Sequence, residues 1–368
     1  MSVKATTDGV VRDPSAFGTT TASPPSHAAI TELVVPRSIP TARATSGLRF
    51  VVTASYDRGN GDRRDASVRR MQPRGVRSPW QAEAVGHDRR RTGPSEGDVM
   101  AGSAPEGDLT GWTRTPFTGA GITHDRYEKG TGPGVVLLPE VPGITPPVLG
   151  LAEHLVGAGF TVAVPSLYGV PGRAETPGYV FGTMVRLCVA AEFAAFANDR
   201  RRPVADFVRA LARDLAARTP GPGVGVIGMC FSGGFALAAA VDDVVLAPVL
   251  SQPFVPLPVS ASRQADAGVS AGELDRVAER TADGLCVLGL RFSGDRLAPP
   301  DRFATLRARL GAAFEVIEID SSPGNAAGLP RSAHSVLTRE VRDVPGHPTI
   351  AARARVTEFL HERLAPPV

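Results

Sequence analysis

A chain of 368 residues has room for one large domain or two ordinary ones, and a 42% hydrophobic fraction suits a globular protein. Its formal charge of +3 is too small to imply nucleic acid or another polyanion as partner. The three cysteines lack paired spacing, which excludes a disulfide framework and a CxxC-type metal site and points to a reducing cytoplasm.

Residues 1–105 are rich in Thr, Ser, Pro, Gly and Arg, with clusters such as Arg63-Arg64, Arg69-Arg70 and Arg89-Arg90-Arg91. Only Glu32 to Val35 and Leu48 to Ala54 look strand-like. So little apolar surface cannot offset the entropy of ordering, so disorder is expected there. Two alternatives are an arginine-rich tail for RNA or membrane phosphates, and residues upstream of a true start at Met100. The N-terminus lacks the basic-then-apolar layout of a secretion signal. The longest apolar run, Phe235 to Leu250, is broken by Asp242 and Asp243 and falls short of a membrane helix of roughly 20 residues.

The domain itself is placed at residues 106–368. Ile122 to Pro133 carries no site motif, and from about Gly130 strands and helices alternate. Strands are predicted at Gly134–Pro139, Phe160–Val164, Val224–Gly228, Val244–Leu250, Leu285–Leu290 and Phe314–Ile319. Helices are predicted at Pro147–Gly157, Pro203–Arg218, Gly233–Val241, Pro300–Leu310 and Pro348–Leu364, with Pro203 suited to the first turn of its helix. Continuous apolar strands alternating with helices imply an α/β domain, a mostly parallel sheet flanked by helices on both faces. Two connections, Ser166–Arg202 and Ser251–Asp283, are too long for turns. Each is expected to hold a helix, Gly182–Ala197 and Gly272–Thr281, and to wall a site at the carboxyl ends of the strands.

The strongest local signal is Val224-Gly-Val-Ile-Gly-Met-Cys230-Phe-Ser-Gly-Gly234. An apolar strand meets a small-residue helix through Gly-x-Cys, a nucleophile-elbow pattern with cysteine in place of serine. The turn is so tight that residues two places either side of the nucleophile must be small: Gly228 before it, and Ser232 with Gly233 after it. It sets the thiol at a helix start, where free N–H groups and the dipole favour a thiolate and an oxyanion. The N–H of Phe231 is one candidate oxyanion donor. The competing reading is a small buried hydrophobe in a strand–helix turn. A phosphate loop fits worse, because neither Gly-x-Gly-x-x-Gly nor a lysine is present.

For such an elbow the chain order is nucleophile, acid, histidine. Asp295 follows the strand Leu285–Leu290 in a Gly-Asp step and is the candidate acid. Its rivals Asp301 and Asp283 read as a first-turn helix residue and a residue ahead of a strand. His334 follows the last strand and is the candidate base, with His347 the alternative unless it merely opens the final helix. His124, His154 and His361 suit surface or packing roles.

These residues resemble the dienelactone hydrolase family of α/β hydrolases across roughly 120–365. The likeness rests on the Gly-Met-Cys-Phe-Ser-Gly-Gly elbow, on Gly294-Asp295, on His334-Ser335 with its distance to Phe359-Leu360, and on Leu138-Pro-Glu140-Val-Pro-Gly143. It implies an α/β-hydrolase fold. It also implies that Glu140 approaches the cysteine and helps to generate the thiolate, and that the N–H of Val141 is a second oxyanion donor. Pro165-Ser-Leu-Tyr168 resembles a family strand end, and Arg186 is an approximate counterpart of a family substrate-binding arginine, so Tyr168 and Arg186 are candidate substrate contacts. Four residues after the histidine the family has a second such arginine; here Thr338 stands there.

The expectation is therefore a hydrolase acting on a small-molecule ester or lactone through a Cys230 acyl-enzyme. No metal or organic cofactor, no nucleic acid and no membrane are expected, and the chain is expected to be a monomer or small homo-oligomer. A thioesterase or general carboxylesterase on the same fold is the nearest alternative. A non-catalytic binding protein of this fold is a more distant one.

Overall fold

The computed structural model describes residues 102–189, 203–255 and 260–365. The arginine clusters, the two short strand-like pieces and Met100 lie outside the described residues. So does the end of the helix expected to reach Ala197.

Eight strands form one sheet in the order β1-β2-β4-β3-β5-β6-β7-β8. The strands β3 (Gly134–Leu138), β4 (Thr161–Pro165), β5 (Val224–Met229), β6 (Val245–Ser251), β7 (Val287–Phe292) and β8 (Phe314–Ile319) are mutually parallel. Every residue of β3, β4, β5 and β7 is buried, the continuous burial a doubly covered parallel sheet requires. One apolar cluster joins the sheet to α3 (Pro203–Arg218), α4 (Gly233–Ala239), α6 (Ala271–Ala282) and α7 (Pro300–Leu310). The other face carries α1 (Pro146–Gly157) and α8 (Pro348–Leu364). The predicted mostly parallel α/β sheet is present.

Two elements differ from the sequence reading. An antiparallel hairpin, β1 (Thr113–Gly119) and β2 (Ile122–Lys129), extends the sheet beyond β4. Exposed and half-buried residues dominate both strands, so they lack the continuous burial of β3, β4, β5 and β7. The turn uses Ala120 and Gly121, both at positive φ, rather than the usual Asn-Gly. The second difference is α2 (Pro177–Val189), which starts five residues before the expected Gly182. Thr176 accepts the Tyr179 N–H through its hydroxyl and the Val180 N–H through its carbonyl, with proline at the first helical position. In the other long connection α6 lies where expected, behind a Ser270/Glu273 capping box. A short α5 (Ala261–Ala265), capped by Ser260, precedes it.

Arginine does unexpected work in the interior. Arg302 is fully buried and points its guanidinium at the carbonyls of Pro253, Arg263, Asp266 and Leu297. It thereby fastens the β6–α6 connection to α7. Arg280 serves the turn between α4 and β6 likewise, bonding the carbonyls of Ala240, Asp242, Asp243 and Val245. Burial lowers Arg302 to about 10, which leaves it charged at neutral pH.

Among the described residues no helix is long and apolar enough to cross a membrane. No group of three or more His, Cys, Asp or Glu among them is placed to hold a metal ion.

Candidate active site

The carboxyl ends of β3, β5, β6 and β7 and the loop after β8 converge on one crevice, where the strand order turns back on either side of β3. Ligands of open α/β sheets bind at such a point.

Cys230 follows β5 and opens a short 3₁₀ turn, Cys230–Ser232, that leads into α4. Its φ is +54°, a left-handed conformation that a non-glycine residue adopts at a cost. Gly228 is needed because a Cβ there would lie 2.5 Å from the carbonyl oxygen of Ser232. Position 232 does more than stay small. The Ser232 hydroxyl is fully buried, accepts from the Met229 N–H at 2.9 Å and lies 3.1 Å from the Leu138 carbonyl, which pins the elbow to β3. The helix behind it has seven residues, so the dipole contribution anticipated for this thiol is that of a short helix. Cys230 is 6% exposed, within reach of a substrate yet largely shielded from water.

Asp295 stands beyond β7, and His334 reaches it from the loop after β8. His334 Nδ1 lies 2.7 Å from Asp295 Oδ2, while Oδ1 accepts the Leu297 N–H. The other ring nitrogen, Nε2, is buried and closes no hydrogen bond, and the thiol of Cys230 acts on the ring electrostatically. Burial opposes charge on His334, but Cys230 and Asp295 outweigh it and hold the imidazole well above its ordinary value.

His347 is elsewhere. It caps α8, with Nδ1 at Thr349 and Nε2 at the Ala327 carbonyl, beside an open groove of about 720 Å³ along β8. Asp301 lies in the first turn of α7 and Asp283 at the end of α6. The other histidines among the described residues pack: His124 edge-on to Phe207, His361 against Phe160, and His154 beside Thr357.

Glu140, past the end of β3, is 2% exposed. Its Oε2 accepts from Gln252 Nε2 at 3.1 Å and from the Ser335 hydroxyl at 2.8 Å, and its Oε1 accepts from the Thr338 hydroxyl. Thr338 is thus committed to the carboxylate. The strand register pairs Leu138 with Gly228, and Val141 and Phe231 each follow that pair by three residues along their own chain segments. Tyr168, after β4, donates to the Pro139 carbonyl, and its ring meets Phe231 edge-on at 6.3 Å. Burial, then the charges of Cys230 and Glu140, push its hydroxyl well above its usual range, which keeps it a donor. Tyr168 also lines a cavity of about 470 Å³ with Arg173, Tyr179 and Arg186. Arg186, exposed on α2, shares that cavity with Tyr168, but Glu140, Cys230, Asp295 and His334 do not line it.

Gln252, Ser335 and the Ser232 pin were missed in the sequence. The first two lie next to motif residues, Ser251 at a strand end and His334, but only the fold turns them toward Glu140.

Residues 122–281 match the dienelactone hydrolase family. The likeness read from the motifs is thus borne out, and it is to a family of hydrolases. The dienelactone hydrolase match takes in Glu140, Tyr168 and Cys230 and stops short of Asp295 and His334. Among solved structures, the chain is similar to a dienelactone hydrolase from Anabaena variabilis, at 15% identity and TM-score 0.45, covering 69% of this chain and 98% of that one. It is also similar to a dienelactone-hydrolase-like promiscuous phosphotriesterase from metagenomic libraries, at 17% identity and TM-score 0.48, covering 69% and 98%. A stretch of 38 residues is 63% identical to an uncharacterized protein of Saccharomyces cerevisiae; it makes up 10% of this chain and 36% of that relative's length.

Proposed function

We propose that the chain hydrolyses a small-molecule ester or lactone, with Cys230 as nucleophile and an acyl-enzyme as intermediate. The observation that carries the reading is the Asp295–His334 pair, whose second ring nitrogen is buried, unpartnered and under the influence of the Cys230 thiol. Left-handed backbone at Cys230 supports it, since strain of that kind concentrates where a side chain must be presented to a ligand.

In this reading His334 takes the thiol proton, and the Cys230 sulfur attacks the carbonyl carbon, forming a C–S bond as the carbonyl π pair moves onto oxygen. The N–H groups of Phe231 and Val141 stabilise that oxyanion. Collapse breaks the C–O bond; His334 returns its proton to the departing alkoxide, which leaves a thioester on Cys230. His334 then removes a proton from water, hydroxide equivalent adds to the thioester, and the sulfur departs to be reprotonated. Asp295 keeps the ring oriented and stabilises the imidazolium. Glu140 would help to set the thiol's protonation state. Tyr168 and Arg186 would contact substrate, and Thr338 supplies no cation, because it is a hydroxyl turned to Glu140.

An activated aryl ester mixed with the full chain should give a burst of leaving group and an acyl adduct on the Cys230 peptide by mass spectrometry. Iodoacetamide and Cys230→Ala should each abolish turnover. An active Cys230→Ala enzyme would sink the proposal.

A further inference from the structure

We infer that Gln252 is a positioning residue of this site, tying the Glu140 carboxylate to the loop that carries His334; the inference rests on the reading of Cys230 as nucleophile. Gln252 directly follows β6, is fully buried, and has a φ of +36°. A long polar side chain held at a strained backbone position in the interior needs a specific reason. Both ends of its amide are used. Nε2 donates to Glu140 Oε2 at 3.1 Å, and Oε1 accepts from the Val336 N–H at 3.3 Å and from the Ser251 hydroxyl.

Val336 lies two residues beyond His334, and Ser335, between them, donates to the same Glu140 oxygen at 2.8 Å. The bonds close a ring: amide of Gln252, carboxylate of Glu140, hydroxyl of Ser335, peptide to Val336, and back to the amide. The same segment touches the elbow, because the Phe254 N–H donates to the Cys230 carbonyl at 2.9 Å. Its other neighbour is β7, where the Gln252 N–H reaches the Leu290 carbonyl at 2.8 Å. One side must donate to an acid and the other must accept from a peptide N–H. Glutamine does both at any pH, glutamate only while protonated, and methionine does neither.

Gln252→Glu and Gln252→Met, made in the full chain, test this by two readouts. One is kcat and KM on an aryl ester against pH; the other is the alkylation rate of Cys230 by iodoacetamide, followed by peptide mass spectrometry. In Gln252→Glu two carboxyl groups face each other and share a proton, so function should survive at low pH and fall as the pair ionises. Relative to wild type, kcat should drop at least about tenfold across that added limb while KM stays within about twofold, since no substrate contact is removed. The alkylation profile should acquire the same limb. Gln252→Met should be slower at every pH, and it decides the matter if the glutamate variant does not fold. Wild-type pH profiles in Gln252→Glu, or wild-type kcat in Gln252→Met, would overturn the inference even if melting temperatures fell. An active Cys230→Ala enzyme would instead defeat the nucleophile reading, while the alkylation profile would still judge Gln252.

Discussion

Two buried carboxylates flank the crevice and are satisfied in opposite ways. Asp295, 5% exposed, is hydrogen-bonded to a titratable ring; Glu140, 2% exposed, is hydrogen-bonded to the neutral donors of Gln252, Ser335 and Thr338, with the Arg339 guanidinium 3.3 Å from the same Ser335 hydroxyl. The first can pass the effect of its charge to a proton carrier. The second is held by three donors, none of which changes protonation in the working range. An uncompensated buried carboxylate is costly, so its donors must be well placed. In the proposed reading, proton transfer belongs to the Asp295 side of the site and not to the Glu140 side.

The largest effect should come from breaking the Asp295 side. Asp295→Asn leaves the shape but lets the imidazole take the wrong tautomer, and kcat on an aryl ester should fall by about 10⁴. On the other side, Glu140→Ala should cost less turnover, about 10²-fold, and more folding stability. It strands the Gln252 amide and two hydroxyls in the interior, at about 1–3 kcal/mol for each group left unsatisfied. Urea denaturation beside kcat separates the two outcomes, and equal losses in both variants would erase the distinction. Thr338→Val removes a single donor at nearly constant shape and should cost about 1.5–3 kcal/mol, the range for a hydrogen bond to a charged group. The smallest effect is a titration. Cys230→Ala removes one influence that raises His334, so the imidazole should titrate lower than in wild type, read by NMR. Because His334 is raised in the folded state, the stability it contributes is complete below about pH 6.5, its unfolded value. That contribution fades as pH rises through the folded value, over a narrower window in Cys230→Ala.

What could be read in the sequence was what is local. Gly228, Cys230 and the glycines after it announce a turn through constraints spanning a few residues, and the parallel strands announce themselves by unbroken apolar runs. Asp295 and His334 followed from chain order at strand ends. The Glu140 cage gave no such signal: its donors lie 112, 195 and 198 residues away and are ordinary polar residues until the sheet gathers them. The β1–β2 hairpin escaped because an edge ribbon with charged faces has no burial pattern to display. Buried arginines escaped for a related reason. A guanidinium satisfied by carbonyl oxygens depends on backbone groups that every residue carries, so no residue type in the sequence marks it.

Arg302 has a consequence for how the crevice responds to its surroundings. The segment it fastens includes Pro253, against which Gly233 of α4 packs so closely that a Cβ on that glycine would lie 2.7 Å from the proline ring. The wall beside the elbow is therefore moored by one cation to four peptide oxygens, none of which can be protonated in the pH range where enzymes work. With Arg302 losing its proton only near 10, the mooring holds throughout the neutral range, whichever protonation state His334 takes. The reactive groups can change state inside a frame that does not.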